Sequence, residues 1–313
     1  MDYVTLGRTG LHVSVLGLGG GGHSRLGQAA GAAEADSVAL VQRALELGIN
    51  FVDTAESYGT EPIVAKAIRG RQRRQVVLST KKTIDTQDGL LRADDLVRGL
   101  EQSLARLGTD HVEVYHLHGV APEHYDHARE HLVPTMLKLR EQGKIGALGI
   151  TERFASDPGH GMLSRAVLDD CWDVVMVGFN ILNQSARDRV LRETLRRDVG
   201  VLCMFAVRTA LSRPEKLQQI VAELAQQGLI DRDAVDLQDP LGFVTRAEGV
   251  PSLPDAAYRF CRAEPGIHVV LSGTGNVRHL EENVEAILKP PLPAAVRQRL
   301  VELFAEVDTV SGQ

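Results

Sequence analysis

Short apolar runs and amphipathic segments take turns along almost the whole chain. Eight runs are strand-like: "VSVLGLG" (13–19), "NFVDTA" (50–55), "VVLSTK" (76–81), "VEVYHLHG" (112–119), "IGALGIT" (145–151), "VVMVGFN" (174–180), "VLCMFAV" (201–207) and "HVVLSG" (268–273). Most are apolar at nearly every position, the mark of parallel strands covered on both faces. Between them, "ADSVALVQRALELG" (35–48) sets Val38, Val41 and Leu45 on one helical stripe and ends in Gly48, a glycine suited to the left-handed residue after a helix. "ADDLVRGLEQSLARLG" (93–108) and "SARDRVLRETLRRDVG" (185–200) repeat the design with its final glycine. Eight β-then-α units in this length predict a (β/α)8 TIM barrel forming one domain over residues 1–313. An open doubly wound sheet is the alternative, because periodicity does not reveal closure.

Three segments fall outside the repeat. "YVTLGRTGLHVS" (3–14) predicts an N-terminal β-hairpin around "GRTG" that caps one mouth of the barrel. Residues 208–250 form a long loop after strand seven, holding the helix "PEKLQQIVAELAQQG" and then a polar stretch. Connections of this length are uncommon unless functional or mobile, and this one lies on the face where barrels carry their sites. After strand eight come two helices broken at "KPPLP".

Composition narrows the function classes. A net charge of −6 provides no basic field for nucleic acid or an anionic membrane surface. The clusters "RGRQRR" (69–74) and "LRRD" (195–198) read as solvated helix ends. Cys171, Cys203 and Cys261 are odd in number and widely spaced, and read as reduced residues of a cytoplasmic protein. No run of 18 apolar residues and no signal peptide is present. The oligomeric state is left open.

Two motifs bear on chemistry. "GLGGGG" (17–22), beginning its run with Gly17 and Gly19, satisfies G-x-G-x-x-G. However, "HSRLGQAAGAAEA" intervenes where a helix should start at its last glycine, and the nearest acids, Glu34 and Asp36, open a helix, so it is not a Rossmann fingerprint. What survives is a glycine-rich loop passing close to something bound. The second motif is spread over three strand ends: Asp53 and Tyr58 after strand two, Lys81 and Lys82 after strand three, and His116 and His118 on strand four. Taken singly, Asp53 is a turn cap, Tyr58 a packing aromatic and Lys82 a solvated charge. Together they suit proton donation by the phenol. An ammonium beside it stabilises the phenolate, a buried carboxylate holds the ammonium, and an imidazole orients a substrate oxygen. The set lacks a nucleophile with its base, and it lacks metal-ligand spacing.

"NFVDTAESYG", "VVLSTK", "VEVYHLHG" and "GTGNVRHLEENV" resemble, in this order and over essentially the whole chain, the aldo-keto reductase superfamily. The resemblance implies a (β/α)8 barrel that binds a nicotinamide cofactor without a Rossmann fold. By position, it makes Tyr58 the general acid, Asp53 and Lys81 its tuning pair, and His118 the carbonyl-orienting residue. His116 is then a satisfied barrel histidine. It further implies that Gly273, Thr274, Gly275 and Arg278 lie near the cofactor's 2′-phosphate and Glu282 and Asn283 near adenine, with Gly19 and Ser272 also contacting the cofactor and NADPH favoured over NADH.

Three positions depart from the family's pattern. Strand five ends in Thr151-Glu152 where the family usually has a serine and a polar residue that hold the nicotinamide carboxamide. Met176 stands where a glutamine is common, although Asn180 is retained. Met204 stands beneath the nicotinamide ring, where an aromatic or small residue is usual. The expected activity is reduction of small aldehydes, ketones or sugars, or oxidation of the matching alcohols. The alternatives are a cofactor-binding regulatory or sensor barrel with little turnover, and an unrelated barrel lyase or isomerase using Asp53 and Lys81 for proton transfer.

Overall fold

The protein is described here by a computed structural model covering residues 1–313. Eight parallel strands close into a barrel in sequence order: β1 (Leu16–Gly19), β2 (Phe51–Asp53), β3 (Val77–Thr83), β4 (Val112–Val120), β5 (Ile145–Glu152), β6 (Val174–Gly178), β7 (Gly200–Met204) and β8 (Val269–Ser272). The final pairing of β8 with β1, Leu16 opposite Val270 and Leu18 opposite Ser272, excludes the open sheet. Strand alternation directs Phe51, Val77, Val114, Ala147, Val174, Met176, Leu202 and Val269 into the barrel interior, where they form one apolar cluster.

The hairpin is present, with Tyr3–Thr5 antiparallel to His12–Ser14. It therefore takes the first two residues of the predicted 13–19 strand, and the barrel strand starts only at Leu16. Leu6 joins the interior cluster, and the Arg8 N–H donates to Asp198 O at 2.6 Å just ahead of β7. The hairpin thus plugs the N-terminal end of the barrel, opposite its C-terminal strand ends.

The outer helices follow the predicted stripes with local differences. Glu34–Glu46 buries Ser37, Leu40, Val41 and Ala44, so the apolar face is turned slightly from Val38 and Leu45. Ala93–Leu107 ends in Gly108 at φ +66°, the left-handed cap expected there. The 185–200 segment is not one regular helix: it passes through a wide turn at Arg187–Leu191 before Arg192–Arg196, and Gly200 opens β7 instead of capping a helix. Roughly half of the long segment after β7 is helical, in Thr209–Ser212, Pro214–Gln226 and Gly242–Thr245.

No helix is long and apolar enough to cross a membrane. The three cysteines are free; Cys203 and Cys261 are buried and Cys171 is half-buried. Arg73 is not a solvated helix end: its guanidinium pairs with Glu113 at 2.9 Å and donates to Val76 O and His111 O.

Candidate active site

Consecutive strand ends assemble the site at the C-terminal mouth. Asp53 pairs in register with Ser79, Lys81 with His116, and Thr83 with His118. After Asp53 the chain makes the turn Glu56–Tyr58, closed by Gly59 at φ +74°, a conformation that favours glycine. The hydroxyls of Thr54 and Thr60 meet at 2.8 Å beneath this turn, and Thr60 donates to Gly20 O at 3.1 Å. Tyr58 is thereby fixed against the loop that follows β1.

β4 contains a bulge. Leu117 faces Ile150 but Val120 faces Glu152, so one extra residue is accommodated at His118–Gly119. Gly119 has φ +59° and its N–H donates to Thr151 Oγ1 at 2.7 Å. Bulges re-aim side chains next to functional sites. This one brings His118 Nε2 to 3.2 Å from Tyr58 Oη, with the rings edge-on at 86°.

Lys81 has no exposed side-chain surface. Its ammonium donates to Asp53 Oδ2 at 2.5 Å and to Thr54 O at 2.7 Å, and lies 5.0 Å from the centre of the Tyr58 ring. Ser79 Oγ donates to the other Asp53 oxygen at 2.8 Å. All four expected side chains therefore meet.

Burial pushes the Asp53 carboxyl up from its ordinary value, against Lys81 and Ser79, which pull it down. The phenol differs from the sequence-based expectation. Burial raises Tyr58 above the usual tyrosine value, and the opposing pull of Lys81 does not overcome it. Desolvation of a phenolate outweighs one ammonium here, so the ring carries its proton at neutral pH. Burial first, and Lys81 second, push His118 down to about 3, leaving a neutral imidazole at pH 7. His116 is pushed far down for the same reasons, and neither of its ring nitrogens has a partner. It is thus not the hydrogen-bonded histidine expected. Its ring fits because residue 149 is glycine, where a methyl group would fall inside the imidazole. Lys82 is not a solvated charge either, since it pairs with Glu56 at 2.7 Å.

A cleft of about 1330 Å³ runs from Asp53 and Tyr58 between the segment after β7 and the helix Val277–Leu288. Of the residues expected near a cofactor, Gly19, Met204, Gly273, Thr274, Glu282 and Asn283 line it, and Met176 contributes to its inner wall. The others are engaged elsewhere. The Thr151 hydroxyl is taken by Gly119. Asn180 donates to Phe205 O at 3.2 Å and Ser311 O at 3.1 Å and accepts from the N–H groups of Leu182 and Asn183, so its amide ties loops together. Ser272 Oγ accepts from Asn283 at 2.9 Å. Gly275 packs against Gly27 so closely that a methyl group would overlap its backbone. Arg278 is exposed and paired with Glu282 at 2.9 Å. The first-turn N–H groups of Arg278 and His279 are already bonded to the Asn276 side chain.

Sequence reasoning missed Arg208 and the roles of Gly21 and Gly22. "GGGG" signalled close approach without saying to what, whereas an arginine in a polar loop carries no signal of its own. A methyl group at Gly21 would fall inside the Tyr58 ring, and one at Gly22 would sit 3.5 Å from Arg208 Nη1. The cleft is larger than the roughly 300–1,000 Å³ of ordinary small-molecule sites, and one wall is bare glycine backbone. Those dimensions fit an extended dinucleotide with room for a substrate beside Tyr58.

Residues 16–304 match the Aldo/keto reductase family. The chain belongs to that family. Membership makes it an NAD(P)H-dependent oxidoreductase by class. This aldo/keto reductase is 27% identical to D-threo-aldose 1-dehydrogenase of a Pseudomonas species, the match covering 94% of each chain. It is 35% identical to L-galactose dehydrogenase of Arabidopsis thaliana over 152 residues; that match covers 47% of each chain, so it spans about half the length of that relative. Among solved structures, the holo form of an aldo-keto reductase from Bacillus halodurans shares the fold with a TM-score of 0.76 at 23% identity, covering 99% of this chain and 98% of that one.

Proposed function

We propose that this aldo/keto reductase reduces small aldehydes, ketones or sugars, or oxidises the matching alcohols, with Tyr58 as the proton donor. The observation that carries this is the meeting of a protonated phenol, a neutral imidazole and a buried ammonium–carboxylate pair at one end of the cleft. Bound at the cleft, the reduced nicotinamide supplies hydride to the carbonyl carbon. Tyr58 Oη and His118 Nε2 are close enough for one substrate oxygen to contact both. Tyr58 gives its proton to that oxygen, and the Lys81 ammonium stabilises the phenolate left behind. Asp53 keeps Lys81 charged and aimed, and Ser79 and Thr54 O hold both in place. Because the phenol starts protonated, the arrangement is poised for reduction at neutral pH.

Gly19, Gly21, Gly22, Gly273, Thr274, Glu282 and Asn283 are the groups that would hold the dinucleotide along the cleft. NADPH is proposed over NADH because Arg278 pairs with Glu282 only in solvent, a weak interaction that leaves the guanidinium free to turn to a 2′-phosphate. Two relatives named for sugar oxidation support a hydroxy-aldehyde substrate. Three free cysteines support a cytoplasmic setting.

The test is a panel of aldehydes, ketones and aldoses assayed with NADPH and NADH side by side, repeated with Tyr58→Phe. We expect the variant to lose roughly 10²- to 10⁴-fold in turnover while still binding cofactor. Full turnover by the variant would refute the assignment, and tight nucleotide binding with no turnover of any carbonyl would favour a sensor barrel.

A further inference from the structure

Arg208 stands in the cleft without an acidic partner. Its Nε is buried and unpartnered, and no carboxylate acts on it. Burial pulls the guanidinium down to about 10, with Tyr58 as the single group pulling the other way. A guanidinium taken out of water normally recruits a carboxylate or phosphate, which its planar fork binds in two places. Here the protein supplies none.

The surroundings hold the group in place. Phe205 has φ +67°, a left-handed backbone that bulky residues rarely adopt, and its ring lies under the guanidinium at 3.4 Å. Phe154 meets the Phe205 ring edge-on at 5.4 Å and stacks on His160 at 5.2 Å, so the platform continues into the wall of the barrel. Strain retained at a cleft points to a use for the side chain it positions. The adjacent glycines Gly21 and Gly22 approach the same two side chains: an added methyl group would overlap the Tyr58 ring at Gly21 and lie 3.5 Å from Arg208 Nη1 at Gly22, and all four residues line the cleft. Tyr58 and Arg208 are therefore two walls of one space.

We infer that Arg208 is a substrate-binding residue that selects carbonyl compounds carrying an anionic oxygen group, a carboxylate first of all, a short chain away from the reacting carbon. This rests on the reductase activity proposed above and names its substrate class. The same chemistry is offered by the pyrophosphate of the cofactor, and the test separates the two sources.

With NADPH saturating, kcat/KM is measured for 4-oxobutanoate and for butanal, a pair matched in chain length that differs in the terminal carboxylate. The wild type should prefer the anion, and added salt should reduce that preference. Arg208→Gln should lower the anion-to-neutral ratio roughly 10- to 100-fold, chiefly through KM, and Arg208→Lys should restore part of it. NADPH affinity of each variant is followed by fluorescence titration. An unmoved ratio with weakened NADPH binding would assign the guanidinium to the cofactor and overturn the inference. An unmoved ratio with unchanged NADPH binding would make Arg208 a packing group and overturn it equally. If the wild type turns over neither aldehyde nor any member of the carbonyl panel, the reductase reading itself fails. Calorimetric binding of 4-oxobutanoate then decides: binding lost in Arg208→Gln and regained in Arg208→Lys supports the anion site, and binding absent or equal in all three rejects it.

Discussion

Replacing Lys81 with methionine tests whether the pair beneath Tyr58 is ionic. In Lys81→Met the Asp53 carboxyl stays buried, with the Ser79 hydroxyl as its remaining side-chain donor. It must then be protonated to remain inside. Holding an ordinary carboxyl, with a pKa of about 3.9, neutral at pH 7 takes about 4 kcal/mol at roughly 1.4 kcal/mol per pH unit. That agrees with the roughly 3–5 kcal/mol lost when one partner of a buried ion pair is removed. In a chain of 313 residues such a loss lowers Tm by about 6 °C. The pH dependence is the sharper signature. In the variant, the folded carboxyl has a raised pKa, so its stability is intact below the unfolded value and is lost as pH climbs toward the folded one. Above the wild-type carboxyl's own raised value, the deficit relative to wild type should therefore grow by about 1.4 kcal/mol per unit up to pH 7. Asp53→Asn combined with Lys81→Met should recover most of it, because no buried charge remains. Urea unfolding followed by circular dichroism at pH 5, 6 and 7 measures all of this. A deficit that ignores pH, or a double variant as unstable as the single one, would refute a charged Asp53–Lys81 pair.

Two further predictions concern the histidines. Because His118 is held near 3, the reduction rate should show no break around pH 6.5 and should stay level from about pH 5 to 8; an imidazole titration in the kcat/KM profile would contradict a neutral orienting ring. Gly149→Ala should destabilise the fold by roughly 1–3 kcal/mol through collision with His116, and Gly149→Ala with His116→Ala should relieve it, both read from chemical denaturation.

The barrel was legible because buried parallel strands write themselves as continuous apolar runs, and the four side chains proposed for proton transfer because each sits at or just after a strand end in a fixed order. Three kinds of feature were not. The break between hairpin and β1 falls inside one apolar run, and nothing local marks where pairing changes partner. The sign of the Tyr58 shift depends on how much solvent the fold removes, which a list of neighbouring charges does not contain. The side chains expected around the cofactor divide on hydrogen bonding: the Asn180 amide can serve a ligand or bind its own loops, and only coordinates show that Phe205 and Ser311 claim it. Arg208 was hidden for the opposite reason, since its meaning lies in the partner it lacks.

The pairing of β1 with β8 has a kinetic consequence. The strands that bear Asp53, Lys81 and His118 follow one another along the chain, so these side chains are joined across loops much shorter than the chain, with Lys81 28 residues from Asp53 and His118 60 from Tyr58. The seam instead joins residues such as Leu18 and Ser272 from opposite ends of the barrel, and its closure bears a long-loop entropy that the local contacts escape. An incompletely closed chain would thus already contain the side chains proposed for proton transfer while lacking the full cleft, which draws on Gly19 from one side of the seam and Gly273 from the other. A dinucleotide bound across that line would act as a clasp, slowing reopening of the barrel as well as serving its chemistry.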